Sequence, residues 1–527
     1  MPLVLRTTDD LPAIDAFDAW AAAVGGKTSA LDPGRRRADL AADLEAAFEA
    51  IIEEWWKLGR NLAAEPSGEL AHAPTCTPNA SDMGLMMAWA RLAERWAGEQ
   101  TTTLLVCDDP WLFRHLAGKP GVQAGRPPPL SLKSIKLALR GLASRSAVAL
   151  RVGLWLLALF PQRFRIGRGE AFLLVYGHPR ATVDGYDGYF ADIMRRQPHL
   201  KRMLHADCSL NRARALSADG RTFSMHAWGS PGLALLLPFA KWRPSATERN
   251  GEWGWLVRRA ACLEGGTGQA AIIRWHNGCR AKWLRRRRPR IIAWPWENHS
   301  WERPLVRQAR KLGIRTVGYQ HSVVGRLMIH YAVAGNPDGE GSIPDHILTV
   351  GPAYQDQLAQ WGIPKDRLAV GGALRFAEPG KVAHDPQAPI FLALPFDGLT
   401  AAEMVAAAKA TGRTFVVKDH PMTPFRFAET DKVRRTDKRL EEQEAVSAVV
   451  YAATTVGLEA MLMGLPVARF RPRRRLAIDV LPAGIEVAVV DGETLDEGLA
   501  ALQAPKSLAR ERVFADPDYG LWSELLK

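Results

Sequence analysis

The sequence predicts an α/β protein of two doubly wound, Rossmann-like domains facing a cleft, with a helical N-terminal extension. Three observations carry that prediction. Short apolar, β-branched runs such as Thr414-Phe-Val-Val-Lys-Asp-His-Pro421 end in polar or small residues, as buried parallel strands do where they hand over to a loop or helix. Segments of helical length and spacing separate these runs. The runs recur on both sides of Gly335-Asn-Pro-Asp-Gly-Glu-Gly341, whose Gly and Pro content reads as a linker.

Taken in order, residues 1–100 read as the helical extension, because 39–64 places Phe48, Ile51, Ile52, Trp55 and Trp56 at helical spacing and 81–97 repeats the pattern. Residues 101–335 read as the first Rossmann-like domain, with strands at 103–107, 171–176, 290–294 and 314–321. Within it, 132–168 interleaves Lys and Arg with Leu, Trp and Phe and contains no acid. That pattern fits a basic amphipathic helix pair, either packed on its own domain or lying on an anionic membrane surface. Residues 342–505 read as the second domain, whose strands recur at 346–350, 368–370, 390–394, 415–417, 447–450, 466–470 and 487–490. A helical tail, 506–527, follows.

At 527 residues and 47% hydrophobic, the chain can bury several cores. The 69 Lys and Arg against 56 Asp and Glu give a net charge of +13, which favours anionic partners. Nucleic acid is excluded on pattern: RNA-binding signatures are missing, and the Arg runs at 35–37 and 285–288 are not interleaved with stacking aromatics. Five widely spaced cysteines without a C-x-x-C pair predict a reduced compartment and no zinc site. The opening residues have no basic region followed by an apolar core, so no signal peptide is expected, and 147–160, the most apolar stretch, is short and contains Arg151. The expected location is cytoplasmic, with peripheral contact at the inner membrane face through 132–168 as its extension.

The candidate chemistry sits at strand ends. Val449 and Val450 close a strand, Thr454 and Thr455 stand where a helix cap belongs, and Gly457 would let a ligand approach the first turn. Glu459, one turn on, is placed to reach a ribose, and Lys418 and His420 end the preceding strand. These six residues form the expected nucleotide seat. Across the cleft, Gln320, His299 and Glu302 are the expected acceptor contacts, with Glu297 as base and His321 and His420 as further catalytic groups. When a sugar leaves a nucleotide, negative charge grows on the phosphate, and fixed donors there lower the barrier without a metal. The acceptor hydroxyl then needs a base on the opposite face of the sugar. The plainer alternatives are that His420-Pro421 is a turn, that Thr454-Thr455 only caps, and that Glu297 or Glu302 caps the helix that follows.

Gln320-His321, Lys418-x-His420-Pro421 and Thr454-Thr455 with Glu459-Ala460-x-x-x-Gly464-x-Pro466 together resemble the GT-B glycosyltransferases of bacterial capsule and O-antigen synthesis. The resemblance is to bacterial polysialyltransferases, capsule Kdo transferases and CDP-glycerol glycerophosphotransferases. It implies that His420, Thr454 and Thr455 contact the phosphate of a cytidine nucleotide. It also implies metal-independent, inverting transfer of an acidic sugar from a CMP donor to a glycan, lipid-linked or protein acceptor. A UDP- or GDP-sugar or CDP-glycerol donor is the alternative within the fold, and a non-catalytic scaffold of a polysaccharide assembly complex the alternative outside it. Two features depart from those families: Thr-Thr replaces Ser-Ser, and no paired-acid-glycine base motif is present.

Overall fold

The computed structural model describes residues 3–25, 28–376, 380–421, 423–473, 475–503 and 508–527. They build three parallel sheets, one more than expected, together with a two-residue ribbon. The first sheet joins β1 (Leu3–Arg6), β2 (Ala19–Val24), β3 (Thr103–Cys107) and β4 (Val122–Ala124) in the order β2-β3-β1-β4. This corrects the reading of 1–100 as helical and moves 103–107 out of the first Rossmann-like domain. The expected helices exist, at Leu40–Ala50, Ile52–Ala64 and Met83–Ala97, but they fill the crossover between β2 and β3. Their apolar faces bury Phe48, Trp55, Trp89 and Trp96 against the sheet. β2 escaped notice because its Ala-Trp-Ala-Ala-Ala-Val carries a single β-branched residue.

The second sheet is a doubly wound Rossmann-type sheet of seven strands. They are β5 (Ala171–Val175), β6 (Lys201–Leu204), β7 (Thr222–Ser224), β8 (Ile291–Pro295), β9 (Arg315–Gln320), β10 (His346–Thr349) and β11 (Leu368–Val370). Their order is β11-β10-β9-β8-β5-β6-β7. The domain boundary expected at 335–342 is therefore displaced, since two later strands belong here. The Gly- and Pro-rich stretch forms short 3-10 turns, Val333–Gly335 and Gly339–Ser342, tied down by Arg310 donating to Gly341 O at 2.9 Å. Gly and Pro there mark tight turns, which single-sequence punctuation does not distinguish from a linker.

The segment 132–168 forms one helix, Ser131–Leu159, followed by a 3-10 turn, Phe160–Arg165, in place of the expected pair. Leu137, Val152, Leu156 and Leu159 are buried against the domain, and Arg145 donates to Gly265 O at 2.6 Å and Pro238 O at 2.9 Å.

The third region carries the ribbon β12 (Ala383–His384) with β16 (Ala445–Val446) and a six-stranded sheet. Its strands are β13 (Ile390–Ala393), β14 (Phe415–Lys418), β15 (Val433–Arg435), β17 (Val449–Tyr451), β18 (Val467–Phe470) and β19 (Ala488–Val490), in the order β15-β14-β13-β17-β18-β19. β15 was not anticipated. The tail helix Tyr519–Leu526 returns to the second sheet, where Trp522 packs between Phe190 and Tyr319 and donates to Gly371 O at 2.9 Å.

Both larger sheets start centrally, wind outward, and restart on the other side of their first strand. The switch points lie between β5 and β8 and between β13 and β17, and ligands bind outside strand ends at such points. The loop after β9 meets the loop after β18: Gly325 packs directly on the Asp479 carbonyl, and the Arg326 N–H donates to Leu481 O at 3.3 Å. The first unit joins this contact through Glu45, which accepts from Arg469 at 2.7 and 3.0 Å, from Arg471 at 3.1 Å, and from Arg326.

Candidate functional site

At the switch point of the second sheet, Tyr176 follows β5, His205 follows β6, and Glu297 follows β8. The Glu297 carboxylate accepts from His299 Nε2 at 2.7 Å and lies 3.4 Å from His321 Nε2. Arg375 donates to His321 Nδ1 at 3.1 Å, so the ring carries its proton on Nε2 and turns that proton to Glu297. Arg375 is held there because Tyr319 Oη donates to Gly372 O and accepts from Leu374 N, both at 3.0 Å. Burial raises the proton affinity of Glu297, but hydrogen bonds from His299 and His321 outweigh it and hold the carboxyl well below its ordinary value. For His299, burial favours the neutral ring, and the bond and charge of Glu297 reverse this and raise its pKa. No protein group among the described residues bonds His299 Nδ1.

Two expected acceptor contacts are already occupied inside the protein. Glu302 is fully buried and accepts from the N–H groups of Glu297 and Asn298 at 3.1 Å and from Trp294 Nε1 at 3.0 Å. It fixes the loop, where Asn298 adopts φ +56°, and burial pushes its pKa up to about 7. Gln320 is buried too; its Oε1 accepts from Val350 N at 3.1 Å and its Nε2 donates to Ser322 O. The expected roles of Glu302 and Gln320 as substrate contacts are therefore corrected to supports of the two strand ends. Tyr189 and Arg375 were missed: the Tyr189 ring stands 4.9 Å from His321, and the Arg375 guanidinium 5.4 Å from the Tyr189 ring. Tyr189 lies in the Asp184–Tyr189 stretch of Asp and Gly residues, which was the available signal; Arg375 had none.

At the switch point of the third sheet, the ends of β14, β13 and β17 lie side by side and bring together Lys418 and His420, Phe396 and Asp397, and Thr454. Lys418 Nζ donates to Asp437 O at 2.6 Å. His420 is partly buried, which lowers its pKa, and its ring stands 6.2 Å from the half-exposed ring of Phe396. Thr454 Oγ1 accepts from Val456 N at 3.1 Å, and Thr455 Oγ1 donates to Glu459 at 2.9 Å. Burial raises the Glu459 pKa. The helix they open, Val456–Leu462, has only seven residues. Asp397 caps the helix Gly398–Thr411 through Thr400 N at 2.9 Å. Phe396 was missed; Pro395-Phe-Asp-Gly398 at a strand end was its signal.

Gly457 does not serve ligand approach. It is buried, and a Cβ there would overlap the Tyr451 ring, so the absent side chain admits Tyr451, whose Oη donates to Asp479 at 3.1 Å. Gly457→Ala is expected to lower stability by about 1–3 kcal/mol through overpacking, read from denaturant unfolding. If the residue instead serves ligand approach, alanine will weaken nucleotide binding and leave stability unchanged.

A crevice of about 230 Å³ opens at this switch point, lined by Pro395, Phe396, Asp397, Ala453 and Arg475. Its opposite wall comes from the first unit: Phe48, Asn79, Ser81 and Asp82. Arg259 fixes Asp82 with bonds of 2.7 and 2.8 Å. This wall adds to the partner expected from the sequence, the strand ends of 290–321. Among the described residues, no group of three or more His, Cys, Asp and Glu is placed to hold a metal ion.

No protein-family model matches the chain, and no curated protein matches it. Among solved structures, the calicheamicin glycosyltransferase CalG4 is 14% identical, with a TM-score of 0.38 over 65% of this chain and 92% of its own. The UDP-GlcNAc 2-epimerase of Neisseria meningitidis is 8% identical, with a TM-score of 0.37 over 67% and 99%. The lipopolysaccharide outer core galactosyltransferase WaaB is 10% identical, with a TM-score of 0.33 over 67% and 94%. Likeness of this degree fixes no chemistry for this chain.

Proposed function

We propose that the chain is a GT-B-type glycosyltransferase that takes a nucleotide sugar at the β13/β17 switch point and delivers the sugar to an acceptor held beside Glu297. The observation that carries this reading is the pairing of two switch-point sites on doubly wound sheets whose carboxyl-end loops meet at Gly325 and Asp479. The crevice is smaller than pockets that enclose a whole ligand, roughly 300–1,000 Å³, so it suits part of a nucleotide, such as a base against Phe396. His420, Thr454 and Thr455 do not line the crevice; they end the neighbouring strands and would take the phosphates there.

Glu297 alone, held ionised, is a weak base. His299 shares a hydrogen bond with Glu297 and is raised in pKa by it, so the two titrate as a unit, and the pair rather than Glu297 alone is the candidate acceptor of the proton. Glu297, with 30% of its side chain exposed, is the member an acceptor hydroxyl reaches. The donor follows from the resemblance: a cytidine-linked acidic sugar, passed to a glycan, lipid-linked or protein acceptor.

Thermal unfolding with CMP, CDP, UDP and GDP tests the reading. The preferred nucleotide, at about a hundred times its Kd, is expected to raise Tm by roughly 2–3 °C. A response to UDP or GDP alone would replace the cytidine donor, and a flat response to all four would remove the transferase reading.

A further inference from the structure

The helix Ser131–Leu159 has a second apolar face that the protein does not cover. Leu132, Ile135, Leu139, Leu150, Leu154 and Leu157 are all more than half exposed. At about 100° per residue, they fall within an arc of roughly 100° opposite the buried Leu137, Val152 and Leu156. The neighbouring turn adds Leu235, Leu236 and Phe239, which are 75%, 53% and 69% exposed. The Arg145 bond to Pro238 O fixes this turn against the helix. An exposed apolar surface of this extent marks an interaction site.

Charge selects the occupant. Neither 110–169 nor 220–247 contains an Asp or Glu, while Lys133, Lys136, Arg140 and Arg151 follow one flank of the exposed stripe. Beside the helix, a groove of about 800 Å³ is lined by Leu142 and Phe239 and by the cations Lys241, Arg243, Arg249 and Arg258. None of these four cations forms an ion pair with a carboxylate among the described residues. A second copy meeting this face symmetrically would set cations against cations. An anionic lipid surface supplies both the hydrocarbon for the leucines and the phosphates for the cations.

We infer that this face docks on an anionic bilayer, with the helix in the membrane plane and lipid phosphates in the cationic groove. Residues 131–165 are long and apolar enough to span a membrane by length and composition. Their other face, however, is built into the domain through Leu156, Leu159 and the Arg145 bonds, so the helix lies flat. The inference is independent of the transferase reading.

Co-flotation of the full chain with vesicles decides it. Binding to equimolar phosphatidylcholine and phosphatidylglycerol is expected to be roughly tenfold or more tighter than to phosphatidylcholine alone. The combined Leu154→Glu, Leu157→Glu and Phe239→Glu variant is expected to lose flotation with an unchanged Tm, since all three side chains are exposed. Lys136→Gln with Lys241→Gln should remove the preference for phosphatidylglycerol. Failure of the wild type to float, or flotation of the triple variant, overturns the inference. So does a wild-type dimer in sedimentation without vesicles that the triple variant breaks, because a second copy would then cover the face.

Discussion

Glu45→Ala is expected to cost about 3–5 kcal/mol, because it strands charges inside the protein. Glu45 is buried in the first unit, Arg469 is buried in the third sheet, and Arg471 and Arg326 converge on the same carboxylate. Removing the carboxylate leaves the Arg469 guanidinium with Asp479 at 3.6 Å as its remaining ion pair. Arg471→Ala should cost much less, since Arg471 is partly exposed and the other two cations still satisfy Glu45. The pH dependence has a defined sign. Burial raises the Glu45 pKa, but the Arg469 bond and the surrounding cations outweigh it and bring it below 4.5. Its contribution is therefore present above the unfolded carboxyl range and lost as pH falls through the folded value. Urea unfolding checks this: a loss below about 1 kcal/mol in Glu45→Ala would mean that the three units are not joined there.

The same ion cluster shows what sequence reading reaches and where it stops. Parallel strands buried on both faces read as continuous apolar runs, so β8, β9, β14 and β17 were legible, and with them the strand ends that carry Glu297, His321, His420 and Thr454. The alanine-rich β2 offered no such contrast, and the first sheet went with it. Pairing across distance was not legible. Nothing local joins Glu45 to Arg469, or Arg375 to His321, because the first contact forms only when separate units pack and the second only when β9 and β11 are brought into one sheet. Burial was equally hidden. Glu302 and Gln320 are polar residues at a strand mouth, like Glu297 and His321, and only their satisfied bonds reveal them as supports. Gly457 was legible as a glycine with a purpose, but the purpose depends on where Tyr451 points.

Glu297→Gln is expected to lower turnover by about 10²- to 10⁴-fold, the usual contribution of a positioned acid or base. It should also shift the titration of His299. With Glu297 ionised, its bond and charge hold the His299 pKa above 6.5 against the opposing effect of burial. Glutamine keeps the shape and removes the charge, so burial prevails and the pKa falls below 6.5. The loop should hold its form, since Glu302 binds the backbone N–H groups of residues 297 and 298 and the substitution leaves that carboxylate in place. Histidine NMR gives the second readout without any substrate, and this separates the two parts of the idea. An unchanged His299 titration would show that the pair is not coupled. A shifted titration with turnover reduced only a few-fold would show that the pair is coupled but that the acceptor proton leaves by another group, with His321 the next to replace.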